Sequence, residues 1–301
     1  MFDAIIIGGG PAGMTAALYL LRAGKTALII EKEAFGGQIS KSPRLENFPS
    51  IASISGIEFS DNLFNQVTAL GAEIELDEVS KIEKKDDGFN VICKYGEHEG
   101  KNIILATGCH HRSLGLPREE ELVGHGISYC ATCDGDFFAG EDALVIGDAN
   151  TALQYAIQLS AKCTKVTIVA LFDKWFADKI LVDRVLENPK IETFMEYSAF
   201  EYVGENELEG VKFRNTKTNE ERYFPCKGCF IAIGQVPCNE PFEEFVDLEK
   251  GFIVTDENMR TKTPGIYACG DCRKKLMRQV VTATSDAAIA AMSIVNDLNR
   301  K

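Results

Sequence analysis

The sequence predicts an α/β fold of two dinucleotide-binding, Rossmann-like domains of three layers each, one of them inserted into the other. Residues 4–13 and residues 143–152 each read as an apolar strand, a glycine turn and the start of a helix. Two further apolar runs end at Gly108 and Gly234, and each closes the unit before it. The 301 residues suit two domains of about 150 residues. The pattern therefore indicates an internal duplication.

The first unit opens on a strand that is apolar throughout, as is typical of the centre of a parallel sheet. A turn of pattern Gly8-x-Gly10-x-x-Gly13 follows at once. We predict a helix from Met14 to Ala23 after it, and a second strand that ends in Glu31. A glycine pattern between a strand and a helix is far more informative than the same pattern alone.

The second unit repeats this order with a different turn, which reads Gly147-Asp148-Ala149. Its second strand is predicted at residues 165–169. After Gly234 the chain must return to the first domain. We therefore place the first domain at residues 1–111 and 237–301 and the central domain at residues 112–236, with hinges near Arg112 and Pro237.

Composition excludes several classes of partner. A net charge of −13, from 45 acidic and 32 basic residues, disfavours binding to nucleic acid or to an anionic membrane. The apolar runs are much shorter than the ~20 residues of a membrane span. No targeting segment precedes the first strand, so we expect a cytoplasmic protein. Its ten cysteines then indicate reduced thiols and a catalytic pair rather than a structural disulfide framework.

The first glycine turn predicts a bound dinucleotide. Its glycines permit a tight turn and a close approach of the backbone to a pyrophosphate, which the helix N-terminus faces. Glu31 at the end of the second strand can accept hydrogen bonds from a ribose diol. A glycine turn without a ligand is the alternative interpretation.

A possible redox centre lies just before the second unit, at Cys130-Ala131-Thr132-Cys133-Asp134. Two intervening residues bring the sulfurs close enough for a disulfide, and each thiolate can be stabilised by its surroundings. Half of a metal site is the alternative. Two further pairs, Cys226 with Cys229 and Cys269 with Cys272, could complete a zinc or iron–sulfur site. Because Cys229 and Cys269 lie in apolar strand patterns, we expect small hydrophobic residues there and no metal.

Several segments together resemble the low-molecular-weight thioredoxin reductase family over nearly the whole chain. They are residues 114–134, Gly36-Gly37-Gln38 with Asn47, and Gly270-Asp271 with residues 278–280. The resemblance implies FAD as cofactor, thioredoxin as partner and a homodimer. It also implies that Cys133 faces the flavin, that Cys130 exchanges with thioredoxin, and that Asp134 handles the proton.

The same resemblance makes the first domain FAD-binding and the central domain a redox domain, with Asp271 reaching the ribityl chain. The motifs and the resemblance together predict an FAD site formed by Gly8, Gly10, Pro11, Ala12, Gly13, Glu31, Lys32, Gly37, Gln38, Asn47, Thr107, Gly108, Gly270, Asp271, Arg278, Gln279 and Val280.

The central domain departs from NADPH-using members of the family at two places. Asp148 and Ala149 replace glycines of the pyrophosphate turn. The second strand runs into residues 170–172, Ala-Leu-Phe, where those relatives carry the arginines that bind the 2′-phosphate. We therefore predict a degenerate pyridine-nucleotide site. A relaxed but working site with Lys174 as a substitute cation is the alternative.

The chain thus resembles the ferredoxin-dependent flavin thioredoxin reductases, which implies reduced ferredoxin as the electron donor. An NAD(P)H-dependent reductase with an atypical site, an oxidase that uses O₂ and a dithiol, and a flavin-bearing scaffold without activity are the alternatives. A cationic patch of Arg273, Lys274, Lys275 and Arg278 is a candidate docking surface for ferredoxin, and an ordinary solvated loop is the other interpretation.

Overall fold

The computed structural model describes residues 1–42 and 45–300. The chain forms two compact units, of which the first unit comprises Met1–His110 with Val236–Lys301 and the second unit comprises His111–Gln235. Each unit has its own hydrophobic core on both faces of a parallel sheet.

The strands, in chain order, are β1 Ala4–Ile7, β2 Ala27–Glu31, β3 Glu73–Leu76, β4 Val79–Lys85, β5 Gly88–Cys93, β6 Glu97–Gly100, β7 Ile103–Leu105, β8 Cys109–His111, β9 Ile127–Ser128, β10 Asp142–Ile146, β11 Lys165–Val169, β12 Ile191–Phe194, β13 Tyr197–Val203, β14 Gly210–Asn215, β15 Glu221–Pro225, β16 Gly228–Ile231, β17 Gln235–Pro237, β18 Leu248–Glu249, β19 Phe252–Ile253 and β20 Ile266–Ala268. The α-helices are α1 Pro11–Arg22, α2 Gly56–Ala69, α3 Glu119–Leu122, α4 Ala131–Asp134, α5 Asn150–Ser160, α6 Lys179–Leu186 and α7 Val280–Asn299. Short 3₁₀ helices span Gly37–Lys41, Gly135–Phe138, Glu240–Phe242 and Gly270–Cys272.

The first unit is built on a parallel sheet of strand order β20-β7-β1-β2-β3. Strand β1 is buried along its whole length because it has a neighbour on each side and a packed layer on each face. Helices α1 and α7 pack on one face with a core that includes Met14, Leu20 and Ile294. The antiparallel sheet β4-β5-β6 contributes Ile82, Phe89 and other residues to the opposite core. The result is three layers.

The second unit repeats the arrangement with the strand order β9-β16-β10-β11-β12. Helix α5 occupies the place of α1, and the antiparallel sheet β13-β14-β15 takes the place of β4-β5-β6. The two sheets confirm the predicted α/β fold with two Rossmann-like domains. The duplication inferred from the glycine turns extends to four strands of each sheet, since β10, β11, β12 and β16 take the places of β1, β2, β3 and β7. The fifth strand differs in its place along the chain, because β20 follows β7 whereas β9 precedes β10.

Two element boundaries need comment. Helix α1 begins at Pro11 rather than at Met14. The N–H groups of the first helical turn have no intrahelical acceptor, so a proline, which lacks the N–H, is favoured at the first position. Strands β8 and β17 lie where the chain passes between units and form a two-stranded sheet. No helix in residues 1–42 and 45–300 has the length and apolar character that crossing a membrane requires.

Candidate active site and cofactor site

Cys130 and Cys133 form a disulfide at the start of α4, directly after β9. Their Cα atoms are 5.3 Å apart, which the tight turn of the two intervening residues produces. The main-chain N–H of Cys133 donates a hydrogen bond to Cys130 Sγ at 3.1 Å. Such a bond favours the thiolate when the pair is reduced, so Cys130 is prepared to act as a nucleophile.

Asp134 belongs to the same turn, since its main-chain N–H donates to the Cys130 carbonyl at 3.0 Å. Its Oδ2 accepts a hydrogen bond from the Ser128 hydroxyl at 2.6 Å, and its Oδ1 is buried without a partner in the described part of the chain. Burial raises the pKa of Asp134, and the bond from Ser128 lowers it less. A carboxyl group in this state can hold a proton for thiol chemistry.

Helix α5 holds the redox segment from behind. The Tyr155 hydroxyl donates to the Tyr129 carbonyl at 3.0 Å, and Gln158 Nε2 donates to the Ala131 carbonyl at 3.4 Å. The Thr132 hydroxyl donates to Gln158 Oε1 at 3.2 Å. The helix that follows the second glycine turn therefore has a structural task that does not depend on a nucleotide.

In the first glycine turn, the fold requires a glycine at two positions and does not require one at a third. Gly8 has φ +114°, and a Cβ there would lie 2.3 Å from the Ala106 carbonyl oxygen. A Cβ at Gly13 would lie 1.8 Å from the Gly8 carbonyl oxygen. At Gly10, the nearest described atoms beyond its chain neighbours would be the Gly36 carbonyl oxygen and the Gly37 Cα, each 4.0 Å from the Cβ. The open side of Gly10, at the N-terminus of α1, therefore fits the pyrophosphate of a dinucleotide.

Glu31 lies at the end of β2 and faces this turn. Its Oε2 accepts from the Gly9 N–H at 2.7 Å, and its Oε1 accepts from the Glu33 N–H at 2.9 Å. Each carboxylate oxygen keeps a further lone pair that can accept from a ribose hydroxyl. Lys32, also predicted for the site, lies 3.7 Å from Glu33. Glu31 thus organises the turn as well as offering acceptors to a ligand.

The turn at Gly270 lies next to the beginning of α1, because a Cβ at Gly270 would come within 2.8 Å of the Ala12 Cβ. Asp271 follows, and its Oδ1 is buried without a partner among the residues that the structure describes. Burial raises the pKa of Asp271, while Lys275 and Arg278 lower it. The orphaned carboxyl oxygen fits a ligand hydroxyl such as those of the ribityl chain.

The remaining predicted FAD residues of the first unit are also tied together. Asn47 Nδ2 donates to Gln279 Oε1 at 3.0 Å, and Gln279 caps helix α7, which begins at Val280. The Thr107 hydroxyl donates to Asn239 Oδ1 at 2.9 Å, and Gly108 follows in a left-handed conformation. Gln38 Nε2 lies 4.0 Å from Cys109 Sγ, next to Gly37. The residue set of the first unit therefore fits FAD.

The prediction of a cationic docking patch is wrong, because the four basic side chains are engaged in contacts within the first unit. Arg273 and Lys275 bind the two oxygens of Asp286, at 3.0 and 2.7 Å, and their side chains are only 15% and 8% exposed. The Arg278 guanidinium lies 3.9 Å above the Phe252 ring and donates to the Asp271 carbonyl.

The fourth cation, Lys274, is exposed but pairs with Glu249 at 2.5 Å. The basic run thus supports the Gly270 turn, because Asp286 also accepts from the Gly270 N–H at 3.2 Å. Its partners lie far along the chain, where the local sequence does not show them.

The turn of the second unit has a different surface. Ala149 carries a methyl group at the position that corresponds to Gly10 of the first unit. Burial raises the pKa of the Asp148 carboxyl group. The Phe176 N–H donates to the Asp148 carbonyl at 2.8 Å, and Phe176 forms a β-bridge with Ala149. Asn150 and Asp178 exchange two hydrogen bonds, at 2.7 and 2.9 Å. The loop after β11 is thereby fixed beside the turn.

That loop presents apolar side chains where a phosphate clamp would need cations. Leu171, Phe172 and Phe176 are all about half exposed, and the two phenylalanine rings contact edge to face. Lys174, the substitute cation, lies over the Phe176 ring at 5.0 Å. The residues of the second unit therefore do not fit the pyrophosphate and 2′-phosphate of NADPH.

The four cysteines of the other two pairs have apolar surroundings. Cys226, Cys229, Cys269 and Cys272 are buried in hydrophobic cores. Across residues 1–42 and 45–300, no three His, Cys, Asp or Glu residues are arranged to hold a metal ion. His111 stacks on the Tyr129 ring at 5.0 Å.

Three functional neighbours were missed from the sequence. Ser128 binds both Asp134 and the Cys130 main chain, and Asn239 joins Thr107 to the carbonyls of Gly251 and Cys272. No pattern in the sequence distinguishes either one. Asp286 had a signal, since it is an acid within the apolar face of a long helix.

Comparison with known proteins gives consistent matches along the whole chain. The sequence profile described as "Pyridine nucleotide-disulphide oxidoreductase" matches residues 2–287. The thioredoxin reductase of Treponema pallidum (strain Nichols) is 41% identical over 291 residues, which cover 96% of this chain and 95% of the relative.

Two further matches are informative. A Clostridium pasteurianum protein described as "34.2 kDa protein in rubredoxin operon" is 38% identical over 292 residues, which cover 96% of this chain and 95% of that protein. The crystal structure of thioredoxin reductase from Streptococcus pyogenes MGAS5005 matches with a TM-score of 0.95 and 38% identity, covering 100% of this chain and 99% of that one.

Proposed function

Because the chain belongs to the low-molecular-weight thioredoxin reductases of the pyridine nucleotide-disulphide oxidoreductase family, we propose that it reduces the disulfide of a thioredoxin with electrons from reduced ferredoxin. FAD, when bound, would supply the carrier between ferredoxin and the Cys130–Cys133 pair. One observation carries the proposal: the Cys130–Cys133 disulfide lies in a unit whose nucleotide turn has Asp148 and Ala149 in place of glycines. The homodimer and the cytoplasmic location stay predictions.

The chemistry of the reduced pair is thiol–disulfide exchange. The Cys130 thiolate attacks one sulfur of the thioredoxin disulfide, and a mixed disulfide forms as the other thioredoxin sulfur leaves. Cys133 then attacks Cys130 Sγ, so the Cys130–Cys133 disulfide forms again and thioredoxin leaves as a dithiol. Two electrons and two protons pass to thioredoxin. Asp134 supplies a proton to a leaving sulfur, because burial keeps its carboxyl protonated to higher pH than usual.

FAD, when bound in the first unit, supplies a carrier that accepts single electrons and passes on a pair. Gly10, the N-terminus of α1 and Glu31 would hold its adenosine diphosphate part, and Asp271 would hold the ribityl chain. These residues bind and orient the group, and the chemistry of proton transfer remains with Asp134.

The donor proposal rests on what the second unit lacks. Hydrogen bonds to phosphate contribute about 1.5–3 kcal/mol each, so the loss of the pyrophosphate turn and of the 2′-phosphate clamp removes most of the affinity for NADPH. A one-electron carrier needs no such site. The gene of the Clostridium pasteurianum relative lies in a rubredoxin operon, which is compatible with a one-electron partner.

The test is anaerobic reduction of the purified flavoprotein, followed at the flavin absorbance, with NADPH, NADH and reduced ferredoxin in turn. We expect millimolar NADPH or NADH to reduce the flavin negligibly and reduced ferredoxin to reduce it rapidly. Dithionite serves as the control, since it reduces any intact flavin. Rapid reduction by NADPH would refute the donor assignment.

A second arm tests the acceptor. Ferredoxin-reduced enzyme is mixed with oxidised thioredoxin, and free thiols are counted. Formation of thioredoxin dithiol supports the proposed reaction. Rapid consumption of O₂ with a small dithiol, and no reduction of thioredoxin, would identify the oxidase alternative instead.

A further inference from the structure

We propose that Ser128 is a positioning residue of the redox centre, which joins the Asp134 carboxyl to the main chain of Cys130 and so leaves Asp134 Oδ1 as the oxygen that transfers the proton. The proposal rests on the thiol–disulfide exchange proposed above. It adds a residue that lies outside the Cys130 to Asp134 segment and that contacts neither sulfur through its side chain in the described hydrogen bonds.

The position of Ser128 is fixed by the sheet. It ends strand β9, which pairs with β16 at the edge of the sheet, and only 4% of its surface is exposed. Its hydroxyl lies 2.6 Å from Asp134 Oδ2 and 3.0 Å from the Cys130 nitrogen. A hydroxyl carries one proton and two lone pairs, so it can donate to the carboxyl and accept from the Cys130 N–H at once.

A competing acceptor for the same proton is the Cys130 carbonyl, at 3.4 Å from the Ser128 oxygen. The carboxyl oxygen at 2.6 Å is the better acceptor, because O–H···O bonds of 2.5–3.0 Å are strong and longer ones weaken quickly. The Ser128 proton therefore points at Asp134, and the hydroxyl lone pairs face Cys130.

This arrangement divides the two oxygens of Asp134. Oδ2 is occupied as an acceptor from Ser128, whereas Oδ1 is buried and has no partner in the described chain. When the carboxyl is neutral, its proton therefore resides on Oδ1. An unpartnered buried O–H is costly at rest and is relieved when a thiolate accepts the proton.

Among the described residues, Ser128 is the hydrogen-bond donor that stabilises the Asp134 carboxylate. Burial is the larger influence and raises the pKa of Asp134, and the Ser128 hydroxyl opposes it. Tyr155 on α5 faces Asp134, and burial raises the pKa of that tyrosine to about 12, so it stays neutral. Asp136, on the following 3₁₀ helix, is paired with Lys162. Cys130 and Cys133 do not titrate while they form the disulfide.

The experiment compares variants that keep or remove the hydroxyl. Ser128→Ala removes it, and Ser128→Val and Ser128→Thr form a matched pair of equal shape in which only Thr retains it. Ser160→Ala is the control, because Ser160 is a buried serine of the same unit that bonds to the Ile157 carbonyl, away from the disulfide.

The first readout needs no partner protein. The Asp134 carboxyl is titrated by carbon NMR in the oxidised, FAD-loaded protein with labelled aspartate, and Asp134→Asn assigns the signal. We expect the midpoint to rise in Ser128→Ala and Ser128→Val, since the carboxylate loses its donor, and to stay near wild type in Ser128→Thr and Ser160→Ala. An unchanged midpoint in both variants that lack the hydroxyl overturns the proposal.

The second readout is the rate of thioredoxin reduction by chemically reduced enzyme as a function of pH. We expect at least a tenfold lower rate in Ser128→Ala and Ser128→Val, with the limb set by Asp134 displaced to higher pH. The loss should be smaller than the roughly 100-fold or more of a complete loss of proton transfer, because Asp134 itself remains. A uniform loss of rate with no displacement would show a merely structural role and overturn the proposal. If wild type does not reduce thioredoxin, the proposed function fails, while the NMR midpoint still decides the role of Ser128.

Discussion

The two glycine turns of this protein share a backbone and differ in the surface they offer to a ligand. Gly147 corresponds to Gly8, since a Cβ at either position would lie within 2.5 Å of the carbonyl oxygen of the residue that follows the neighbouring strand. Gly36 donates to the Gly9 carbonyl at 2.9 Å just as Phe176 donates to the Asp148 carbonyl at 2.8 Å. The frame of the turn is thus preserved in both units.

What differs is the outer side of the turn. Gly10 is bare and has room around it, whereas its counterpart Ala149 carries a methyl group and pairs with Phe176. Gly13, which allows the helix to approach the strand, corresponds to Ala152. The comparison teaches that a glycine fingerprint mixes two demands. The fold demands Gly8 and Gly147, and a phosphate ligand demands Gly10.

The largest effect should come from the redox pair, which gives the second unit a function independent of its turn. Cys130→Ser and Cys133→Ser should each abolish thioredoxin reduction and leave FAD bound, because exchange needs both sulfurs and the cofactor residues lie in the first unit. The measurements are thioredoxin thiol formation and the flavin absorbance. Cys163→Ser is the matched control, a buried cysteine of the same unit that bonds to the Phe138 carbonyl. Full activity in either redox variant would end the assignment.

A pair of reciprocal substitutions tests the two turns directly. Gly10→Ala should lower the affinity for FAD by about 100-fold or more, since the methyl group displaces a pyrophosphate whose bonds contribute about 1.5–3 kcal/mol each. The protein itself has space for the methyl group, so thermal stability without FAD should not change. Affinity is measured by titration of the cofactor-free protein.

The reverse change, Ala149→Gly, should alter neither FAD binding nor thioredoxin reduction, and it should not create a response to NADPH, because Asp148 and the loop at Phe176 remain. Equal effects of the two substitutions on FAD would show that the turns are not functionally distinct.

A smaller loss of FAD affinity is expected for Glu31→Ala, at about 10 to 100-fold, which corresponds to the ~1.5–3 kcal/mol of hydrogen bonds to a charged group. Part of the loss comes from the turn itself, because Glu31 also accepts from the Gly9 N–H. Glu33→Ala serves as the control, since that exposed neighbour is not predicted to bind the cofactor. Unchanged affinity in Glu31→Ala would mean that the carboxylate serves the turn alone.

The smallest effect concerns Asp148, the residue that replaces Gly9. Burial raises its folded-state pKa, so this acid favours the folded state most at low pH and that contribution is lost as pH rises through the raised pKa. Asp148→Asn should therefore raise the free energy of unfolding slightly at neutral pH, within about 0.5 kcal/mol, and the advantage should vanish in acid. Thermal unfolding at both pH values measures it. A destabilised variant at neutral pH would show that the charge is stabilised in the turn.

The elements that could be predicted from sequence are those whose signal is local. The apolar run before Gly8 and the turn after it determined the first strand and its helix, apart from the helix start at Pro11. The strand at Lys165–Val169 was predicted to the residue. The hydrophobic pattern of a strand and the glycines of a turn involve only a few consecutive residues, so they can be recognised in a single sequence.

Pairings across the chain could not be predicted in the same way. Arg273 and Lys275 were predicted to be unpaired cations. Their partner Asp286 lies on α7, and the sequence does not show that the chain brings it back to them. Ser128 lies two residues before Cys130 and has no distinguishing pattern, since serine is common in any strand end. Charge and hydrogen bonding depend on distance in space, which composition does not contain.

The burial of the remaining thiols determines how this protein meets oxidants and electrophiles. Cys93, Cys109, Cys163, Cys226, Cys229, Cys269 and Cys272 are buried, and desolvation raises the pKa of each, to about 11 for Cys93 and about 12 for Cys109. Cys238, only partly covered, is raised in the same direction. Peroxides and alkylating agents react with thiolates, so these eight sulfurs are poor targets. Such reagents are thereby directed to Cys130 and Cys133 when that pair is reduced, and a protein with ten cysteines behaves toward them as if it had two.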